Sequence, residues 1–392
     1  MKKGWQTKTL GDVLEKTETV NPLQSPSVEF DYIDVSSVSN TTFEIQETQR
    51  LKEKDAPSRA RKLVRTNDII FATIRPTLQR IAVVPEHLDK QVCSTGYFVL
   101  RPKLGIDHRF VIYSLFTENF VGQMESLQKG ASYPAVTDGY VRAQEIPVPP
   151  LAEQQRIVGV LDEAFEGLAT AKANAEKNLQ NARALFESHL QSVFTQRGPR
   201  WVEKPLGEIA DLLDCLHKTP TYAESGFPMV RVTDINPGFL DLSKTRKVDE
   251  QTFIAFSKGR TPRVGDIVFS RVGSCGVSAL VNSDEPFCLG QNTVFILPKM
   301  NLMLLYHFLN SPNAKEQFEG FIDGTTQPTI SMKSIRQVAV PIAPPAEHSR
   351  LVASLDSMRE ETQHLARLYE RKHAALEALK KSLLHQAFTG AL

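Results

Sequence analysis

No apolar run in this sequence approaches the roughly 20 residues needed to cross a bilayer, and the amino terminus lacks the hydrophobic stretch of a signal peptide. Cysteine is scarce. Cys93, Cys215, Cys275 and Cys288 show neither CxxC pairing nor metal-ligand spacing, so no disulfide framework and no bound metal is expected, only reduced thiols in a cytoplasmic protein. There is no excess of either charge: a net charge of +1 means that any nucleic-acid surface must be local rather than global. No GxxxxGK[ST] phosphate loop occurs, which excludes an ATP-driven motor, and no glycine-rich cofactor loop is found. The 41% apolar and 23% charged content is nevertheless that of folded globular protein, and 392 residues exceed one comfortable core.

What is present is a duplication. Pro149-Pro-Leu-Ala-Glu-Gln-Gln-Arg156 returns as Pro344-Pro-Ala-Glu-His-Ser-Arg350, with Glu153 and Glu347 separated by 194 positions. A proline pair followed by a glutamate in the first turn suits a helix start, because the carboxylate meets the positive end of the helix dipole. Arg156 and Arg350 stand three residues on, placed to pair with those glutamates. Trp5 and Leu10-Gly11 return as Trp201 and Leu206-Gly207, Asn67-Asp-Ile-Ile-Phe71 as Gly265-Asp-Ile-Val-Phe269, and Gly130-Ala-Ser-Tyr-Pro134 as Gly324-Thr-Thr-Gln-Pro328. The offset drifts only between 194 and 198, so one unit is duplicated, at a period far too long for a solenoid of roughly 20–50-residue repeats.

Within each copy, β-branched and aromatic runs predict strands at 69–74, 81–84 and 97–100, then 267–272, 277–281 and 294–297. Helices are expected at 109–118 and 302–310, and closing strands at 145–148 and 338–342. Regular crossover helices are missing, which makes the class α+β. The long segments behave differently. Leu161, Phe165, Leu168, Ala175, Leu179, Ala182, Phe186 and Val193 recur at 3/4 spacing, as do Leu355, Met358, Leu365, Tyr369, Leu376, Leu379 and Leu383. Such a narrow stripe predicts one partner helix, so the two rods are expected to form an antiparallel coiled coil roughly 60 Å long. The expected organisation is a domain at 1–148, a helix at 149–198, a second domain at 199–343 and a second helix at 344–392.

Taken in order, these pieces resemble the specificity subunits of type I restriction–modification systems. The likeness runs over the whole chain and rests on the doubled helix starts, the doubled Trp…Leu-Gly openings, Asp266-Ile-Val-Phe-Ser-Arg-Val-Gly273 and the Gly324–Pro328 loop. It implies two similar mixed α/β target-recognition domains separated by the long two-helix coiled coil, each reading one half of a split, asymmetric double-stranded DNA site. It also implies that the helices set the gap and dock two methyltransferase subunits, with Glu153, Arg156, Glu347 and Arg350 as candidate partner contacts. S-adenosylmethionine, ATP and magnesium would then belong to the partners, which include motor-nuclease subunits, and this chain would need no cofactor and no catalytic group. In the first domain the family's loop is altered to Gly130–Pro134, and Arg271-Val-Gly273 becomes Thr73-Ile-Arg-Pro76.

Local charge supports the DNA reading. Arg50 to Arg80 holds nine basic residues against Glu53, Asp55 and Asp68, and a matching cluster runs from Lys244 to Arg271. Candidate DNA contacts are Lys52, Lys54, Arg59, Arg61 and Lys62, then Lys244, Arg246, Lys258 and Arg260, with the lysines mostly holding phosphates. Arginine can grip guanine bidentately and Gln or Asn adenine, so candidate base readers are Arg75, Gln79 and Arg80, then Arg271, Ser274, Gln291 and Asn292. The matched loops add Ser132 and Tyr133, and Thr325, Thr326 and Gln327. Two other classes compete. A stand-alone DNA-modifying enzyme would need motifs that Asn236-Pro-Gly-Phe239, one proline short of the methyltransferase tetrapeptide, does not supply, and Asp68 and Asp266 fit turn caps better than nuclease ligands. A purely structural spacer would not need matched basic clusters.

Overall fold

The computed structural model of the chain describes residues 4–24, 29–257, 260–324 and 328–392. The chain forms two compact units, Met1–Ala175 with Arg371–Leu392, and Glu176–Glu370. The division falls inside both long helices, so each unit owns one mixed domain and a length of both rods.

In unit one the strand Ile69–Ala72 lies between Ile81–Val83 and Tyr97–Leu100, antiparallel to both. Its sequence, Ile-Ile-Phe-Ala, is apolar without alternation because both faces are covered. Ile69 and Phe71 join Phe98 and Leu100 under the helices His108–Ser114 and Glu118–Leu127. Ile70 and Ala72 join Tyr97 and Val99 against a second sheet, ordered Gln49–Lys52, Glu29–Ile33, Val92–Ser94, Ala60–Leu63.

Unit two repeats the plan. Ile267–Ser270 sits between Ser278–Leu280 and Thr293–Pro298, with Ile267 and Phe269 on one face and Val268 on the other. Its second sheet runs Arg246–Val248, Phe227–Val230, Cys288–Leu289, and among the described residues the place of Ala60–Leu63 has no strand counterpart. In both units the first and last segments of the domain close on each other, Gln6–Thr9 against Glu145–Val148 and Val202–Pro205 against Ala339–Ile342. The mixed sheets, and the absence of βαβ crossovers among the described residues, give the α+β class.

Asp68 and Asp266 close matched turns, accepting from the amides of Arg65 (2.8 Å) and Arg263 (2.9 Å). Each then takes a guanidinium: Arg101 bonds both Asp68 oxygens at 2.9 and 2.8 Å, and Arg260 bonds Asp266 at 2.6 Å. Their role is structural.

The rods run Leu151–Thr195 and Pro345–Thr389, each 45 residues. In unit one, Ile157, Val158 and Leu161 cluster with Leu384 and Ala387, and further along Lys172 bonds Glu377 at 2.8 Å. Partner numbers fall as residue numbers rise, so the pairing is antiparallel. In unit two, Arg183 bonds Glu370 at 3.1 Å, while Leu190 and Phe194 share a core with Leu355 and Leu351. Every expected stripe position of the first rod is buried or half-buried, and so are Lys172 and His189, the polar residues that interrupt the apolar spacing. The second departs at its end: Leu379 is 47% exposed, and Lys380 turns inward over the rings of Phe43 and Phe165. The cause is drift of a 3.6-residue helix against a 3.5-residue repeat, which moves the seam to Lys380 and Leu384.

The helix starts carry the ion pairs that the repeat implies. Arg156 grips Glu153 through Nε at 2.7 Å, and Arg350 lies 4.0 Å from Glu347. Next to the glutamates, buried Gln154 donates to Pro149 O (2.8 Å) and His348 donates to Ala343 O (2.8 Å), each five residues back.

One matched joint differs in chemistry. Tyr113 donates to Asp162 on the first rod at 2.5 Å; 194 residues on, His307 meets Asp356 on the second at 3.1 Å. Burial holds the His307 imidazole below its ordinary pKa despite the Asp356 carboxylate, and Arg359, which also bonds Asp356, adds to that depression. The native state thus binds fewer protons here than the unfolded chain, so stability is full above about pH 6.5 and falls as pH drops below it. Urea unfolding followed by Trp201 fluorescence in a Trp5→Phe background should show a midpoint that decreases from pH 7.5 to 5.5. His307→Tyr, which copies Tyr113, should flatten that dependence.

Candidate nucleic-acid interface

The two loops that the repeat singled out meet in both units. In unit one the turn between strands Ile69–Ala72 and Ile81–Val83 is a 3-10 turn, Pro76–Leu78, flanked by Arg75 and Gln79 in the left-handed region (φ 50° and 52°). The second loop is a hairpin closed by Lys129 and Ala135, which exchange two backbone hydrogen bonds of 2.9 Å. Gly130, at φ +108°, has Tyr133 O 3.0 Å from where a Cβ would stand, so the tight return requires glycine. The loops are joined by Arg75 N–H to Pro134 O (2.6 Å) and Val136 N–H to Thr73 O (2.9 Å).

In unit two the same joint is Gly273 N–H to Pro328 O (3.1 Å) and Ile330 N–H to Arg271 O (2.9 Å). The Cys275 thiol adds contacts to Arg271 O (3.1 Å) and Pro328 O (3.3 Å). Thr325, Thr326 and Gln327, like Lys258, lie outside the described residues.

The candidate side chains fall into two groups. Arg75 is exposed, its guanidinium 4.9 Å over the Tyr133 ring and 3.3 Å from Ser132 O. Tyr133 is itself 71% exposed, so the pair stands outward as a stacked cation and ring, with the arginine's freedom already reduced. Lys52, Lys54, Arg59, Ser132, Lys244, Ser274 and Gln291 are exposed too, and Arg246 stands over Tyr222 at 4.7 Å. Asn292, at φ 64°, shapes the turn beside Gln291.

The second group is engaged internally. Lys62 donates to Tyr97 O (2.6 Å) and to Asp138 (2.8 Å), and Arg80 to Val38 O (2.6 Å). Arg61 returns to Ala60 O at 2.8 Å, and Arg260 is taken by Asp266. Arg271 is the largest change from expectation. Its side chain is only 12% exposed, bonded to both oxygens of Asp214 (2.9 and 3.0 Å) and to Ile330 O (3.0 Å). It braces the joint between the two loops.

Sequence reading missed Asp214, Asp138 and Tyr222, since each acts through a tertiary contact with a basic residue far along the chain. Burial pushes the Asp214 carboxyl up, but His217 and Arg271 outweigh it and leave it below the usual range. The exposed loop Asn236–Phe239 is held by Tyr306, whose hydroxyl accepts from Gly238 N–H at 2.5 Å.

These placements separate bracing from surface residues. Lys62→Ala and Arg271→Ala should each lower unfolding free energy by about 1–3 kcal/mol, because buried acceptors lose their donors. Lys52→Ala and Lys244→Ala should stay within about 0.5 kcal/mol of wild type. Urea denaturation of the four variants measures the contrast.

Comparison with known proteins agrees with this doubled architecture. The profile of the family described as "Type I restriction modification DNA specificity domain" matches twice, at residues 2–179 and 199–370. The EcoKI specificity subunit of Escherichia coli (strain K12) is 24% identical over 331 residues, 76% of this chain and 69% of that protein. The EcoBI specificity subunit of Escherichia coli is 22% identical over 63% of this chain, and the match spans 58% of its length. Among solved structures, a chain described under "Structural basis underlying complex assembly and conformational transition of the type I R-M system" superposes with a TM-score of 0.87 at 28% identity, covering 100% of this chain and 99% of that one. The HsdS subunit from Thermoanaerobacter tengcongensis gives 0.65 at 28% identity, covering 100% and 98%. With two family matches that together span most of its length and two loop pairs built alike, this chain belongs to the type I restriction–modification DNA specificity family.

Proposed function

We propose that the chain is the non-catalytic specificity subunit of a type I restriction–modification complex, acting in the cytoplasm. Each mixed domain reads one half of a split, asymmetric double-stranded DNA site, and the rods set the unread gap and dock two methyltransferase subunits. The observation that carries this reading is the pair of homologous loop joints bearing different side chains. The backbone frame is kept, while Arg75 with Tyr133 occupies the joint in one domain and Arg271 with Asp214 in the other. A frame that holds its shape while its tips change suits two readers of different sequences. Methyl transfer and translocation then reside in partner subunits, which bring S-adenosylmethionine, ATP and magnesium. Glu153 with Arg156, and Glu347 with Arg350, sit at the first turn of each rod as matched candidate contacts for the two methyltransferase copies.

In the Arg75–Tyr133 pair, the guanidinium offers two parallel donors to guanine O6 and N7 while the ring holds its plane. Losing one such contact costs on the order of 1–3 kcal/mol of discrimination. Arg75→Ala in the assembled complex should therefore relax methylation at bases of one half-site and leave the other unchanged, as read by methylome sequencing of a host carrying the variant. Equal loss at both halves would overturn the assignment of one domain per half-site.

The gap can be tested separately. One heptad added to each rod, near Ala173 and Ala366, keeps the stripe in phase and lengthens each helix by roughly 10 Å. At about 3.4 Å per base pair, the unread gap should grow by up to about three base pairs with both half-sites unchanged. Some affinity loss is expected where DNA must bend to absorb the added rotation. Unaltered preference for the original spacing would show that the rods do not measure it.

A further inference from the structure

Unit two holds a cluster of which the DNA reading uses only Asp214, as the brace of Arg271. At the end of strand Ala210–Asp214, the carboxylate of Asp214, the thiol of Cys215 and the imidazole of His217 each place one ligand atom within 4.8 Å of the other two. We propose that Asp214, Cys215 and His217 form a site for a borderline divalent transition metal of the zinc class, with a water completing the coordination.

The donor set selects the metal. One sulfur, one imidazole nitrogen and one carboxylate oxygen suit zinc, cobalt or nickel, whereas magnesium and calcium require all-oxygen shells. The geometry is near what coordination needs. His217 Nε2 and Asp214 Oδ2 are 3.0 Å apart, sharing a proton where an ion about 2.0–2.2 Å from each would fit. A small swing of His217, 54% exposed at its side chain, closes the remaining distance to sulfur.

Asp214 can serve the ion without abandoning Arg271. Its two oxygens both touch the guanidinium, so Oδ2 can turn to the metal while Oδ1 keeps its 2.9 Å bond. That is the common arrangement in which a ligating carboxylate is itself held by a hydrogen-bond donor. Burial pushes the Cys215 thiol up, and the backbone amides of Thr293 and Asn292, which approach the sulfur as donors, act against that. Access is present as well: Asp214 and Cys215 line a cavity of about 220 Å³ with Leu212, Phe256, Arg260 and Phe295.

The site belongs to one domain only. Leu14 bridges Pro102 as Ala210 pairs with Pro298, which aligns Glu18-Thr-Val-Asn21 with Asp214-Cys-Leu-His217. Glu18 is bonded to Arg101 and Arg65, and neither cysteine nor histidine follows it. An ion bound here would tie the 214–217 segment to Arg271 and to the Gln291–Asn292 turn, stiffening one reading surface and not its homologue.

The test is titration of the full-length, metal-stripped chain with cobalt(II) chloride, followed by absorption spectroscopy. The expected result is a near-ultraviolet thiolate-to-cobalt charge-transfer band that saturates at one ion per chain and is displaced by zinc. His217→Ala should weaken cobalt binding on the order of tenfold or more, since even a partner behind a ligand contributes that much. Cys215→Ser should abolish the band. If Cys215→Ser fails to fold, His217→Ala decides alone, because its side chain is largely exposed. Absence of a thiolate band, its persistence in Cys215→Ser, or unchanged affinity in His217→Ala overturns the proposal.

Discussion

Each mixed domain has an apolar helical face that its own sheets cannot cover, and the rods cover it. Phe194, at the end of the first rod, is 1% exposed with its ring edge-on to Phe308 at 5.3 Å. Its counterpart 194 residues on, Phe388, lies 4.8 Å from Phe110. Burying a phenylalanine is worth about 1.5–3 kcal/mol, and an aromatic pair about 0.5–1.5 kcal/mol more. These contacts make the rods part of each domain's core. A rod that also supplies core residues cannot be lengthened, shortened or turned at that end without disturbing the domain, so a change of length is accommodated in the rod's middle.

Much of the frame was legible because its signals are local. Proline pairs, first-turn glutamates and the 3/4 stripe act within a few residues, and they located both 45-residue helices nearly to their ends. The central strands were readable for another reason: Ile69–Ala72 and Ile267–Ser270 are buried on both faces and so appear as unbroken apolar runs. Two features escaped. The helix expected at 109–118 is two, because Thr117 caps a new one by accepting from Phe120 N–H. Leu379 left the stripe because a repeat counted in whole residues accumulates error along a real helix.

The site was less legible. Basic clusters at matched positions were visible, but a sequence does not say whether an arginine faces water or a carboxylate. Lys62, Arg80, Arg260 and Arg271 share their composition with Lys52, Arg59 and Arg75, and differ only in what stands opposite. Asp138 is 76 residues from Lys62, and Asp214 is 57 from Arg271. The 73–76 and 130–134 loops were recognised as displaced copies of the 271–273 and 324–328 segments, but their meeting in each unit was not anticipated. Duplication identified which loops correspond, not which loops touch.

Duplication also explains how the two halves diverge without losing the fold. Where a position closes a backbone turn, chemistry is retained: Asp68 and Asp266 accept from amides three residues back in both copies. Where a position only has to satisfy a partner, it is free to change in kind. Tyr113 becomes His307 opposite matching aspartates, Asp162 on the first rod and Asp356 on the second, exchanging a neutral donor for one that titrates. Glu18 becomes Asp214, one methylene shorter, and its guanidinium partners Arg65 and Arg101 give way to Arg271, just past the strand Ile267–Ser270. The second change decides which arginine faces outward. With Arg271 drawn inward by Asp214, the outward donors of unit two come from other elements, whereas unit one presents Arg75 braced on an exposed ring. Two copies of one backbone thus present different chemistry at matched loops, Arg271 being held by Asp214 while Arg75 rests on the Tyr133 ring.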